Sequence, residues 1–290
     1  MSHKIVYYYQ TFIGTKEIKD NIKYVTTLNL SAIHFGFDIN SIPYIHLNDN
    51  NPYDTIFDQV WIDLEELQKM GLEIVLMVGG GGGAYKTLFD NFDTFYPLLH
   101  KLLSDKIHLI SGIDLDIEED VDINNVITLI NRINSDFNFL TISMAPMATD
   151  LMYDEPGISG FVFKKLFKLM ENKITRLHVQ AYGNFTFDTF DKIVKNGYDP
   201  SKLIFGMVSA DFSKGNFNNS IETIKTIVQK YSNINGIYNW EYFDSPPDTK
   251  HPISWAIAVY NALHNVNTTK TLSHLISGVK NYIFGLIWNS

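Results

Sequence analysis

Short runs of β-branched, aliphatic and aromatic residues recur along the chain, separated by segments whose apolar residues fall at helical spacing. Eight runs read as strands: Lys4–Gln10, Ser31–Asn40, Glu73–Gly80, His108–Glu118, Phe139–Met147, Arg176–Gly183, Lys202–Ser209 and Ile234–Phe243. Between them, Asp58–Met70 sets Val60, Trp61, Leu64 and Leu67 on one helical face, and Ile123–Ile133 does the same with Val126, Ile127, Ile130 and Ile133. Ser220 is expected to cap a helix over Ser220–Tyr231 whose stripe is Ile221, Ile224, Ile227 and Val228. A helix over Ser254–Leu263 completes the last unit.

Strands alternating with helices imply a parallel sheet. Eight units point to an α/β chain closed into a single (β/α)₈ TIM barrel over residues 1–290, with a doubly wound open sheet as the alternative. Beyond the last unit, Leu272, Leu275, Ile276, Val279, Ile283 and Leu286 predict an extra helix within 264–290 that packs on the barrel. No linker, repeat or low-complexity tract asks for a second domain.

One strand carries chemistry. In Ser111–Glu118 the acids Asp114, Asp116 and Glu118 alternate with Ile113, Leu115 and Ile117, so the carboxylates share one face of the strand and the aliphatics the other. Acids spaced by two residues lie roughly 7 Å apart by Cα. Where water is thinned out they resist ionising together, and at least one pKa must rise, as a general acid near neutrality requires. An edge strand with a solvated acidic face is the plain alternative. In a barrel, catalytic groups gather at the C-terminal strand ends. There Glu118 closes the fourth strand, Tyr182 the sixth, and Trp240 stands near the end of the eighth. An acid, a phenol and a large flat ring at one mouth suit a sugar, whose faces pack on aromatic rings.

Composition narrows the field. Hydrophobic residues at 45% and charged residues at 19% fit a globular protein with a sizeable core. A net charge of −9 argues against nucleic acid as a partner. With no cysteine there is neither a disulfide framework nor a thiolate nucleophile. Met1-Ser2-His3-Lys4 runs straight into Ile5-Val6-Tyr7 without the pattern of a signal peptide, so the protein is expected either to stay inside the cell or to have lost a leader. No membrane span, metal or organic cofactor is expected, and the chain is expected to be a monomer.

These residues resemble glycoside hydrolase family 18, the chitinase family, whose fourth-strand signature is Asp-x-x-Asp-x-Asp-x-Glu. Its last three acids fall on Asp114, Asp116 and Glu118. Met144-Ala145-Pro146, Val179-Gln180-Ala181-Tyr182, Gly236-Ile237-Tyr238-Asn239-Trp240 and the glycines Gly79 and Gly80 resemble its fifth-, sixth-, eighth- and third-strand motifs, in order. The resemblance implies retaining, substrate-assisted hydrolysis beside N-acetylglucosamine. On that basis Glu118 is the general acid, Asp116 orients the acetamido group, Asp114 shares a proton behind it, and Tyr182 bonds the acetamido oxygen. Trp240, Gln180, Tyr8, Met144 and Gly80 are expected to contact substrate, an N-acetylglucosamine-containing oligo- or polysaccharide. About two dozen residues separate the seventh and eighth strands, too few for the insertion domain of some relatives, so an open groove is expected.

Four departures stand out. Ser111 replaces the first acid, Met77 replaces the third-strand serine that helps hold the acid at Asp114, Gly183 follows the tyrosine, and Gly79–Gly83 is an unbroken glycine run. Tyr8 could hold Asp114 in the serine's place. Rival readings are a non-catalytic lectin for N-acetylglucosamine oligomers, an endo-β-N-acetylglucosaminidase for N-glycan cores, and a divalent-metal site on the three acids. The glycine run lacks a P-loop ending and reads as close backbone approach. His34 and His178 read as packing residues, with His178 in phase with Gln180 and Tyr182 and able to support the site from below.

Overall fold

The computed structural model describes residues 3–212 and 215–264. The predicted C-terminal stripe from Leu272 to Leu286 lies outside the described residues. Among the described residues there are nine strands: β1 (Lys4–Tyr9), β2 (Thr27–Phe37), β3 (Pro43–Leu47), β4 (Glu73–Gly79), β5 (Gly112–Asp116), β6 (Thr141–Met144), β7 (Ile174–Gln180), β8 (Leu203–Val208) and β9 (Gly236–Trp240). The helices are α1 (Lys16–Asp20), α2 (Asp58–Lys69), α3 (Tyr85–Asp90), α4 (Phe92–Asp105), α5 (Ile123–Asp136), α6 (Ala148–Met152), α7 (Phe163–Met170), α8 (Phe187–Lys195) and α9 (Phe217–Lys230). Residues 253–264 are also helical.

Every strand except β3 pairs parallel to its neighbours, and β1 pairs with both β9 and β2, which closes an eight-stranded barrel. The ninth strand, β3, was not foreseen. It folds back antiparallel on β2 through a turn around Ser41 and raises a hairpin above the barrel. The expected second strand, Ser31–Asn40, is also shifted: β2 begins at Thr27, its stretch to Leu30 makes the parallel pairings with β1, and the segment from Pro43 was not read as a strand.

Other boundaries move for identifiable reasons. Leu109 and Ile110 are buried in the turn after α4 rather than in β5. The helix expected to begin at Ser220 begins at Phe217, because Phe217 packs on Phe212 with ring centroids 5.8 Å apart. Ser220 is therefore a buried residue of the first turn, and Asn216 is the capping position.

Strand alternation divides the core in two. Outward residues such as Ile5, Tyr7, Leu28, Leu115 and Leu177 join the helices in the large cluster, while Val6, Tyr8, Ala32, Met77, Ile204 and Tyr238 form a smaller one inside the barrel. Burying aliphatics of this size stabilises by roughly 1.5–3 kcal/mol each, so the outer layer carries most of the folding free energy. At the N-terminal end the barrel is plugged by ions. Glu73 accepts from Lys4 at 2.5 Å and from both terminal nitrogens of Arg176 at 3.1 Å. Burial opposes ionisation of Glu73, but Arg176 and Lys4 outweigh it and hold its pKa below the ordinary value.

Two glycines make room inside. A Cβ on Gly206 would stand 1.9 Å from the Tyr238 ring, and one on Gly112 2.2 Å from Thr141 Oγ1. Gly206→Ala is expected to cost at least about 2 kcal/mol in urea unfolding, since overpacking against a ring on a rigid strand has no easy relief. A change below about 0.5 kcal/mol would contradict the tight seat of Tyr238.

Candidate active site

Asp114 and Asp116 both face the barrel interior from β5. Their register sets Asp114 between Met77 on β4 and Ser143 on β6, and Asp116 beside Gly79. Asp114 is fully buried. Its Oδ1 accepts from the Ser143 hydroxyl at 2.5 Å and its Oδ2 from the Tyr8 hydroxyl at 2.7 Å. His178 Nδ1 lies 3.3 Å from Oδ1. The hydroxyl missing on the β4 side, where Met77 stands, is thus supplied from β6. Burial resists the charge on Asp114, but His178, Ser143 and Tyr8 together keep its pKa below the usual carboxylate range.

Asp116 is treated oppositely. It is 5% exposed, and Gln180 Nε2 donates to its Oδ1 at 2.9 Å. Burial, then the charges of Glu118 and Asp114, push its pKa well above the ordinary carboxylate value. The pKa values of two acids on one strand face are therefore pushed apart, the inner one down and the outer one up.

Glu118 lies two residues past the end of β5, half-buried, and accepts from Gln180 Nε2 at 3.3 Å. The same nitrogen donates to the Ala145 carbonyl at 2.8 Å, so one amide ties both carboxylates to the end of β6. Tyr182 follows β7. Tyr238 donates to the Tyr182 oxygen at 3.2 Å, which leaves the Tyr182 proton free to point into the cleft. Burial pushes both phenols well above their ordinary pKa, with the three acids adding to it at Tyr182 and the neighbouring phenols of Tyr182 and Tyr8 at Tyr238. Gly80, Gly81, Asp116, Glu118, Gln180, Tyr182 and Trp240 line a cleft of about 180 Å³.

Of the residues expected to touch substrate, Trp240, Gln180 and Gly80 line this cleft, and two do not. Tyr8 is 1% exposed and sits beneath it, with its ring tilted against Trp240 at 5.2 Å and its hydroxyl engaged by Asp114. Met144 points the other way. It shares strand phase with Ile142 rather than Ser143 and is buried in the outer core. Among the described residues no group of three His, Cys, Asp or Glu side chains is placed to hold a metal ion.

The glycine run is a fitted surface. Gly79 and Gly80 both have positive φ, and a Cβ on Gly79 would stand 2.3 Å from the Asp116 carbonyl oxygen. A Cβ on Gly80 would meet the Met77 methyl at 2.9 Å and Asp116 Oδ2 at 3.4 Å. Glu119, which sequence reasoning missed, accepts from the backbone N–H groups of Ala84, Tyr85 and Lys86 and so caps α3, fixing the far end of the run. Glu241, also without a foreseen role, accepts from the N–H of Gln10 at 2.7 Å and of Thr11 at 2.8 Å, and joins the mouth ends of β9 and β1.

No family model matches the chain, and no curated protein matches it. Many solved structures do. A fungal endo-β-N-acetylglucosaminidase of glycosyl hydrolase family 18 is 26% identical with a TM-score of 0.80, over 91% of this chain and 99% of the other. The chitinase ChiC of Aspergillus fumigatus is 24% identical with a TM-score of 0.76, over 91% and 100%. A family 18 chitinase of Pseudoalteromonas aurantia is 18% identical with a TM-score of 0.71, over 89% and 99%. With about nine-tenths of the chain matched, no large insertion interrupts the barrel.

The split between the two aspartates gives opposite stability signatures. Asp116 has a raised folded pKa, so its contribution is fully present below its unfolded value of about 4 and declines as pH rises through the folded value. Asp114 has a lowered one, so its contribution is present above about pH 4 and is lost as pH falls through the folded value. In urea unfolding, Asp116→Asn is expected to gain stability relative to wild type as pH rises from 4 to 8. Asp114→Asn is expected to lose about 2–3 kcal/mol near pH 7 and less in acid. The same sign for both variants would contradict this assignment.

Proposed function

We take as premise that the chain belongs with glycoside hydrolase family 18 as a chitinase-like glycosidase, and propose that it cleaves β-1,4 bonds beside N-acetylglucosamine with retention. The observation that carries this reading is the meeting of Asp116, Glu118, Gln180, Tyr182 and Trp240 around one small cleft, with the pKa of Asp116 raised by burial beside two other acids. Glu118, at the rim, gives its proton to the bridging oxygen as the bond from that oxygen to the anomeric carbon breaks. The carbonyl oxygen of the substrate's acetamido group closes on the anomeric carbon and forms an oxazolinium ion. Water then attacks that carbon and loses its proton to the Glu118 carboxylate, which restores the acid.

The neighbours assist the same steps. A protonated Asp116 offers both a donor and an acceptor to the acetamido N–H and its surroundings. As positive charge grows on that group, the Asp116 proton can pass inward to Asp114. Tyr182 donates to the acetamido oxygen and holds it in line. The Trp240 ring, backed by Tyr8 at 5.2 Å, is a flat floor for the sugar. The cleft's 180 Å³ is small beside the roughly 300–1,000 Å³ of enclosed ligand sites, which favours one buried sugar with the rest of a chain lying across an open surface. Chitin-type oligosaccharides and the chitobiose core of N-glycans both meet this description, as do the chitinase and endo-β-N-acetylglucosaminidase names of the neighbours.

Release of a fluorescent aglycone from a chitotriose conjugate, repeated on an N-glycan core, tests the reading. Glu118→Gln is expected to lower kcat by at least about 100-fold. Chelator is expected to leave turnover unchanged, and the de-N-acetylated conjugate to remain intact. Binding without turnover on every substrate would replace the hydrolase with a sugar-binding protein.

A further inference from the structure

We propose that His178 is a positioning residue for the two buried aspartates: in the resting protein its hydrogen bonding favours the ionised form of Asp114, so that a proton held by the pair rests on Asp116. His178 stands on β7 two residues before Gln180, on the same inward face, and is 1% exposed. Its Nδ1 lies 3.3 Å from Asp114 Oδ1, 2.8 Å from the Tyr8 hydroxyl oxygen and 3.2 Å from Asn29 Nδ2. The hydrolytic reading above gives the imidazole no chemical step, and only the use made of the proton rests on that reading.

The ring has one side on which a proton can be held. Nε2 is buried without a partner, as is Asn29 Oδ1. A proton on Nε2 would be an orphaned donor, which buried sites avoid more strictly than an orphaned acceptor. A proton on Nδ1 instead faces Asp114 and Tyr8. Turning the Asn29 amide over would bring its stranded oxygen to the same N–H.

Among the described residues no lysine or arginine bonds Asp114. From β1 comes Tyr8, from β5 Asp116, and from β9 Tyr238, whose ring is 5.8 Å from that of His178. Asn29 on β2, Met77 on β4, Ser143 on β6 and Ile204 on β8 bring no charge. Arg176, next on the inward face of β7, is engaged with Glu73, which also holds Lys4. Tyr8 and Ser143 give one donor to each Asp114 oxygen, and the His178 Nδ1–H is the third donor within reach. A third donor beside a fully buried carboxylate favours its ionised form over that of its neighbour in a coupled acid pair.

The test follows the aspartate side-chain carboxyl carbons by ¹³C NMR in labelled protein, with Asp114→Asn and Asp116→Asn assigning the signals. In the wild type, the Asp114 signal should stay that of a carboxylate from about pH 5 to 8, and Asp116 should lose its proton at higher pH than Asp114. In His178→Phe, which keeps a ring in the space, Asp114 should take up a proton within that range. His178→Gln, a neutral donor, should be intermediate and carries the test should the phenylalanine variant not fold. If glycosidase turnover is present, His178→Phe should lower kcat more than tenfold with KM within twofold. The acid limb should move to higher pH, and His178→Gln should recover part of the loss. An Asp114 titration identical to wild type in a folded His178 variant overturns the proposal. The carbon signals need no substrate, so a chain inert on every sugar would remove the hydrolase reading and still leave this one decided.

Discussion

A carboxylate with no exposure, on the inner wall of a closed barrel, is the constraint around which the described structure is arranged. Asp114 is taken fully out of water, and an unpaired charge there would cost several kcal/mol. Three strands answer it: β1 with Tyr8, β6 with Ser143 and β7 with His178. Each partner also bears on the mouth above. Tyr8 backs the Trp240 ring, the strand of Ser143 leads to the Ala145 carbonyl that anchors Gln180, and His178 lies below Gln180 on the same strand. Stabilising one buried charge therefore sets the positions of the groups that face the cleft.

The second aspartate draws its character from the first. Asp116 lies on the same strand face as Asp114 and shares Gln180 with Glu118, and burial first, then the two flanking acids, raise its pKa. The loops complete the enclosure. Glu119 pins the glycine run through the start of α3, Gly79 and Gly80 let backbone lie against Asp116, and Glu241 ties β9 to β1. These contacts are local and polar. The outer hydrophobic layer between sheet and helices supplies the stability that lets the inner wall carry so many charges.

Much of this was legible in the sequence, because period-two alternation is a strong signal. The acid row of β5, its inward face, the eight barrel strands and the arrival of Tyr182 and Trp240 at the mouth all follow from parity and order. What escaped detection depends on contacts between strands. Ser143 is one serine among many until the register sets it beside Asp114. Met144 was expected to touch substrate because its tripeptide ends a strand, yet its phase turns it outward. Tyr8 has the right phase but too little height, ending under the floor. Glu119 follows the acid row immediately and reads as one more surface acid, although the backbone N–H groups of the next helix claim it. The β2–β3 turn runs through Asp38, Asn40 and Ser41, turn-forming residues that mark the end of β2 but not the antiparallel return of Pro43–Leu47.

The central claim is that the substrate's own acetamido group, positioned by Asp116 and Tyr182, attacks the anomeric carbon and is then displaced by water. The measurement that tests it most directly is ¹H NMR of the anomeric configuration of the first product released from an N-acetylglucosamine oligosaccharide, followed from the first minutes before mutarotation. Two displacements at one carbon predict the β-anomer first, with the α-anomer growing in only as the solution equilibrates. Initial release of the α-anomer would mean direct attack by water, and would contradict a nucleophilic role for the acetamido group and a supporting one for the paired aspartates beneath it.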